Sequence, residues 1–89
     1  MNEEEMINRG TAAVELLNNP TFQSAAKELM DIYFNNIIQT APIDEKSREA
    51  AYDQTRALQD IFAVLNQWVS AKDNILEARK ASEDNSEEE

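Results

Sequence analysis

Three carboxylates in the second half of the chain have the spacing at which acidic residues can hold a metal ion. Glu45, Glu49 and Asp53 follow one another at intervals of four, so one face of a helix would carry all three. Arg48 and Arg56 lie beside this row, and ion pairing on a helix surface accounts for that arrangement. A di-iron carboxylate site also needs a Glu-x-x-His pair, and the sequence has no histidine. We therefore expect no metal site and no cofactor.

Other catalytic chemistry is restricted by the residue types that the sequence lacks. Without cysteine or histidine, zinc sites, disulfides and Ser-His-Asp or Cys-His nucleophiles are excluded. Gly10 is the single glycine, so a glycine-rich phosphate loop is excluded too. A carboxylate pair of the glycosidase kind is allowed by residue type, but a short helical chain offers no pocket for it. The sequence predicts a protein that is not an enzyme.

The charge is strongly negative and is concentrated at the two ends. Eighteen acidic residues stand against 8 basic ones, and eight of the acids lie in residues 3–5 and 83–89. This balance argues against direct binding to nucleic acid or to an anionic membrane. No apolar run approaches the length of a membrane span, and no signal-peptide pattern opens the chain. We expect a cytoplasmic protein, in which residues 82–89 form a disordered acidic tail because they contain no apolar side chain.

The remaining residues, 1–81, are predicted to form a single helical domain with helices at about 3–17, 20–39 and 45–80. Asn19 is a favourable N-cap before Pro20, which suits the first position of a helix. Pro42 interrupts the chain a second time, and Asp44 is the natural cap of the third helix. Gly10 inside the first helix has two interpretations: the helix tolerates a glycine at this position, or a neighbouring helix approaches closely there.

Apolar residues on the second and third helices cover more than one face. The second helix has a stripe through Phe22, Ala26, Leu29, Tyr33 and Ile37, which Ala25, Met30, Ile32, Phe34 and Ile38 widen beyond half the circumference. The third helix repeats apolar residues at alternating spacings of four and three, interrupted once at a lysine: Ala51, Thr55, Leu58, Phe62, Leu65, Val69, Lys72 and Leu76. A second row beside it holds Ile61, Trp68 and Ile75.

These lengths and faces predict an all-α fold with one long C-terminal helix. One arrangement is a bent antiparallel hairpin, with the second helix against the first half of the long helix and the first helix against its second half. The other is a folded-back three-helix bundle. Either leaves apolar surface uncovered, so we predict a homo-oligomer that associates through coiled-coil-like contacts within residues 58–76. The predicted interface consists of Leu58, Ile61, Phe62, Leu65, Trp68, Val69, Ile75 and Leu76.

Residues 17–68 resemble a family of small helical proteins common in tailed bacteriophages and prophages. The resemblance is carried by Leu17-Asn18-Asn19-Pro20, by the turn Thr40-Ala41-Pro42-Ile43-Asp44, and by Arg48-Glu49 leading into a long amphipathic helix. The family is mostly uncharacterised and is often encoded near virion structural genes. It has no catalytic residues to carry over, so the resemblance implies a phage origin rather than a mechanism.

Three functions are compatible with the sequence. The first is a non-enzymatic assembly protein that self-associates or docks into a virion or capsid-assembly complex, in the host cytoplasm or in the virion. The alternative is a small acidic inhibitor that binds a host defence or nucleic-acid-binding protein. A third is a helical module that holds a small ligand between helices of the oligomer, although no residue identifies that ligand.

Overall fold

The computed structural model describes the backbone of residues 1–39 and 44–87, and the side chains among them as far as Asp84. Three helices account for almost all of these residues: α1 (Glu3–Leu17), α2 (Pro20–Gln39) and α3 (Glu45–Glu87). The described part of the chain contains no strand. The prediction of an all-α fold with a long C-terminal helix is confirmed.

The predicted caps of α2 and α3 are both formed. The Asn19 side-chain Oδ1 accepts a hydrogen bond of 3.0 Å from the Phe22 N–H, and Pro20 takes the first helical position. The Asp44 Oδ1 accepts one of 3.2 Å from the Ser47 N–H. In each case the cap satisfies an amide that has no partner inside its own helix. The predicted turn at Pro42 lies outside the described residues.

The end of α3 differs from the prediction. The helix continues to Glu87 instead of ending near residue 80, so six residues of the predicted disordered tail are helical. Burial does not explain this extension, because residues 81–84 are exposed. The segment contains no glycine or proline that would end the helix, and Arg79 and Lys80 precede Glu83 and Asp84 by four residues, a spacing at which opposite charges attract, although its serine, aspartate and asparagine residues are weak helix formers. Residues 88 and 89 lie outside the described part.

The chain divides into two compact units, and α3 contributes to both. Residues 18–63 form the α2 unit, and residues 1–17 with 64–89 form the α1 unit. In the α2 unit, α2 runs antiparallel to the first half of α3. Phe22 packs on Phe62 with ring centroids 5.5 Å apart, and the buried side chains are Ala26, Ala51 and Leu58. The prediction of one domain over residues 1–81 stays a prediction.

In the α1 unit, α1 runs antiparallel to the second half of α3. Gly10 lies directly against α3: a Cβ there would collide with the Lys72 Cβ and would lie 2.8 Å from the Trp68 carbonyl oxygen. Of the two interpretations of Gly10, the close approach of a neighbouring helix is therefore confirmed. Ala13 and Leu65 are the buried side chains of this unit. The helix pairing expected for the antiparallel hairpin is observed within each unit.

The predicted heptad row of α3 is the face that turns inward. Ala51, Leu58 and Leu65 are buried, Thr55, Phe62, Val69 and Lys72 are half-buried, and the last member, Leu76, is exposed. The contact with Gly10 explains the lysine that interrupts the row. Because glycine has no side chain, the aliphatic stem of Lys72 can pack against the α1 backbone while its charged end extends toward water.

Candidate protein-interaction surface

The eight residues of the predicted interface do not form one free surface. Leu58 and Leu65 are enclosed within the chain, and four others are half-buried: Phe62, Trp68, Val69 and Ile75. Only Ile61, at 53% exposure, and Leu76, at 41%, are exposed. Leu58, Ile61 and Phe62 belong to the α2 unit, and the other five belong to the α1 unit. The part that these residues play in association stays a prediction.

The most exposed large apolar side chains inside the helices lie elsewhere, in the α2 unit. Phe34 is 60% exposed, Ile38 63% and Tyr52 59%. We call these three residues the Phe34 face. The sequence signal for it was the width of the apolar surface on α2, but the pattern alone did not show which flank the packing against α3 would leave uncovered.

A groove of about 250 Å³ opens beside the Phe34 face. Its walls are formed by Ile37 of α2 and by Arg48, Glu49, Tyr52 and Asp53 of α3. At 3.6 residues per turn, Phe34 and Ile38 lie on the flank of α2 that borders this groove, whereas Asn36 lies on the opposite flank. Since a cavity of roughly 150 Å³ accepts benzene, the groove is wide enough for one aromatic ring.

The opposite side of the α2 unit carries a second apolar patch with a different recess. Leu29 and Ile32 share the flank of Asn36, and Ile61 shares the flank of Gln54, two turns away on α3. We call Leu29, Ile32 and Ile61 the Ile61 face. The recess next to it, of about 380 Å³, is lined by Asn36, Gln39, Ser47, Ala50, Ala51 and Gln54. Its side-chain amides and hydroxyl suit a polar group better than an apolar side chain.

The single tryptophan is covered by a cation of its own chain. The Arg9 guanidinium carbon lies 4.5 Å from the centroid of the Trp68 ring, a cation–π geometry. The Arg9 Nε is buried without a hydrogen-bond partner, and this stacking offsets part of the cost of its burial. One ring face of Trp68 is therefore occupied within the α1 unit, which reduces what the tryptophan offers to a second chain.

The acidic residues are arranged differently from the metal-site pattern. Among the described residues, no group of three acidic side chains is close enough to hold a metal ion. Glu49 and Asp53 instead form part of the groove wall. Among the described residues, no carboxylate oxygen lies within 4.0 Å of a guanidinium nitrogen of Arg56. The expected pairing of this row with Arg56 is therefore not observed.

A different arginine, on α3, pairs with acidic residues at the start of α1. Arg79 forms ion pairs with Glu3 at 3.0 Å and with Glu4 at 3.3 Å. These hydrogen bonds, first to Glu3 and then to Glu4, raise the pKa of the Arg79 guanidinium. All three side chains are exposed to solvent, so these ion pairs add little to the stability of the unit.

Comparisons with known proteins add no relative. No protein-family model matches the chain, and no curated protein or solved structure gives a significant match. Nothing in these comparisons links the chain to the phage proteins that its sequence resembles. Within the part of the chain that the structure describes, no helix is long and apolar enough to cross a membrane.

Proposed function

We propose that this chain is a non-enzymatic assembly protein that works by self-association. The proposal rests on the distribution of apolar side chains in the α2 unit. Its buried side chains are two alanines and one leucine, whereas Phe34, Ile38 and Tyr52, which lie on one side of the unit, are each more than half exposed. Contiguous exposed apolar side chains of this size are typical of protein–protein contact sites.

Stability gives a second reason for association. A chain of 89 residues buries only about 60–65% of its unfolded surface when it folds alone, so its stability is marginal. Transfer of a large exposed apolar side chain out of water contributes roughly 1.5–3 kcal/mol when burial is complete. Association therefore provides the burial that the small core does not, without a disulfide or a metal.

The setting of this assembly follows from the resemblance of residues 17–68 to small helical phage proteins. We place the protein in the assembly of a virion or capsid complex, in the host cytoplasm or the virion, where it contacts other phage structural proteins. This part of the proposal depends on the quoted turn and helix-start motifs alone.

The test is the absolute mass of the full chain in solution, measured by light scattering after size exclusion over a hundredfold range of concentration. We expect a defined oligomer with a mass that is a multiple of 10.1 kDa. A monomer at every concentration would contradict self-association, because the exposed apolar side chains would then have no partner among copies of this chain.

A second candidate function, a small acidic inhibitor of a basic host protein, is favoured by the α1 unit. This unit holds eleven acidic and four basic residues, a formal charge of −7, against −3 for the α2 unit. Glu83 and Asp84 lie on helix α3 rather than on a disordered tail, and a structured acidic surface is what such mimicry requires. Salt-sensitive binding to a basic nucleic-acid-binding protein, weakened by deletion of residues 82–89, would support this function.

A further inference from the structure

We propose that a second copy of the chain covers the Phe34 face, and that the two copies are related by a two-fold axis. This inference rests on the proposed self-association and names the surface that performs it. In a two-fold contact the same patch serves both partners, so it must be complementary to itself, and a protruding group beside a recess that accepts it is one way to achieve this. The Phe34 face meets this condition.

The protruding group and the recess lie side by side on this face. Phe34 and Ile38 extend from α2, and the groove between Ile37 and Tyr52 opens on the same flank. The volume of about 250 Å³ accepts one phenyl ring. When two copies meet face to face, Phe34 of each enters the groove of the other, and Ile38 and Tyr52 close around the contact.

The charges along the face are complementary under a two-fold rotation. Lys27 precedes Phe34 by two turns, and Glu45 precedes Tyr52 by two turns, so both charges lie in line with the apolar centre. Because Phe22 meets Phe62 and Ile37 lies near Tyr52, the antiparallel pairing puts Lys27 level with Arg56 at one end. The acidic end, at Glu45 and Glu49, lies beyond Tyr52, nearest the C-terminus of α2.

A two-fold rotation brings the basic end of one copy onto the acidic end of the other. Neither Lys27 nor Arg56 makes an ion pair with a described residue, so both are available to an incoming carboxylate. Asp31 and Asp60 lie near the basic end, Asp53 lies in the groove wall and Arg48 lies near the acidic end, so the basic end is less negative than the acidic end rather than positive. Lys27 and Arg56 would meet opposite charge in a second copy and like charge in a basic partner protein, so these two positions favour a second copy as the occupant.

Within the described part of the chain, the Ile61 face lacks an apolar recess and lacks charged residues beside its recess. Its neighbouring recess is lined by three amide side chains, one serine and two alanines, and no charged residue is among the described residues that line it. It therefore supplies a matched control on the opposite side of the same unit. Ile61, at 53% exposure, is nearly as accessible as Phe34, at 60%, so a glutamate at either position changes charge and exposed area to a similar degree.

The first experiment compares the full-length Phe34→Glu and Ile61→Glu variants with the original chain by concentration-dependent light scattering, with circular dichroism as the check on folding. We expect F34E to weaken dimerisation about 30-fold or more while it keeps its helicity, and I61E to remain dimeric. If the original chain is an oligomer and F34E assembles equally well, the surface named here is wrong although self-association stands. If the original chain is a monomer, both proposals fail.

A second experiment keeps the conclusion independent of a variant that fails to fold. A photoreactive phenylalanine analogue at position 34 preserves the aromatic ring and forms a covalent bond to a neighbouring C–H on illumination. We expect a product of twice the chain mass, with the cross-link mapped to the groove residues Ile37, Arg48 or Tyr52. Cross-links to residues 61–76, or none at a concentration where light scattering shows a dimer, would overturn the pairing.

Discussion

Gly10 is the residue at which a single methyl group decides the packing of α1. An alanine there would raise helix propensity by about 1 kcal/mol, because glycine is the poorer helix former. The added Cβ would also collide with the Lys72 Cβ and approach the Trp68 carbonyl oxygen, and neither atom is the free end of a flexible side chain. Overpacking of this kind typically costs about 1–3 kcal/mol, so the steric effect opposes and exceeds the gain in propensity.

We therefore expect Gly10→Ala to lower the free energy of unfolding, by roughly 0–2 kcal/mol net of the gain in propensity, in urea denaturation followed by circular dichroism. Asn8→Ala is the matched control, since Asn8 is exposed on the same helix and its replacement should be neutral or slightly stabilising. The sign of the effect decides the matter: a stabilised Gly10→Ala variant would mean that α1 does not approach α3 so closely.

At the scale of the element, the starts of the helices were predictable and one end was not. An N-cap depends on a few neighbouring residues, so Asn19-Pro20 and Asp44 defined the starts of α2 and α3 to the residue. The end of α3 lacks such a local signal. The expectation of disorder depended on the absence of burial, yet the segment contains no glycine or proline to end the helix, which continues to Glu87.

The faces of the helices were also predictable only in part. Periodicity identified the row from Ala51 to Leu76 as one face, and the structure turns that face inward as far as Lys72. Periodicity does not specify how far each helix is rotated against its neighbour. The Phe34 face and the groove beside it arise from that rotation. Two residues of the predicted interface, Leu58 and Leu65, are buried within the chain, and the part of the others in association stays a prediction.

The cap of α2 provides a quantitative test at this scale. Replacement of Asn19 by alanine removes the hydrogen bond from Oδ1 to the Phe22 N–H and leaves that amide without a side-chain partner. We expect a loss of about 1 kcal/mol in the free energy of unfolding, whereas Asn19→Gly should lose only a few tenths and Asn19→Asp should be near neutral. Equal losses in all three variants would show that the side chain acts through something other than capping.

At the scale of the whole molecule, the formal charge of −10 distinguishes the two candidate functions. Copies of so acidic a chain repel one another, and salt screens that repulsion, with a Debye length that falls from about 10 Å at 0.1 M to about 3 Å at 1 M. The ion pairs proposed at the rim of the Phe34 face are weakened by the same screening, but exposed pairs contribute only about 0–1 kcal/mol each. Apolar burial does not weaken with salt.

We therefore expect the oligomer to persist, with an unchanged or smaller dissociation constant, when light scattering is repeated from about 0.02 to 0.5 M sodium chloride. Complexes of an acidic inhibitor with a basic protein lose affinity steeply over the same range, because opposite charges are screened. The Phe34→Glu variant is the control, since any residual association in it should gain from salt as the added charge is screened. Dissociation of the original oligomer by salt would mean that opposite charges rather than the apolar face hold the copies together.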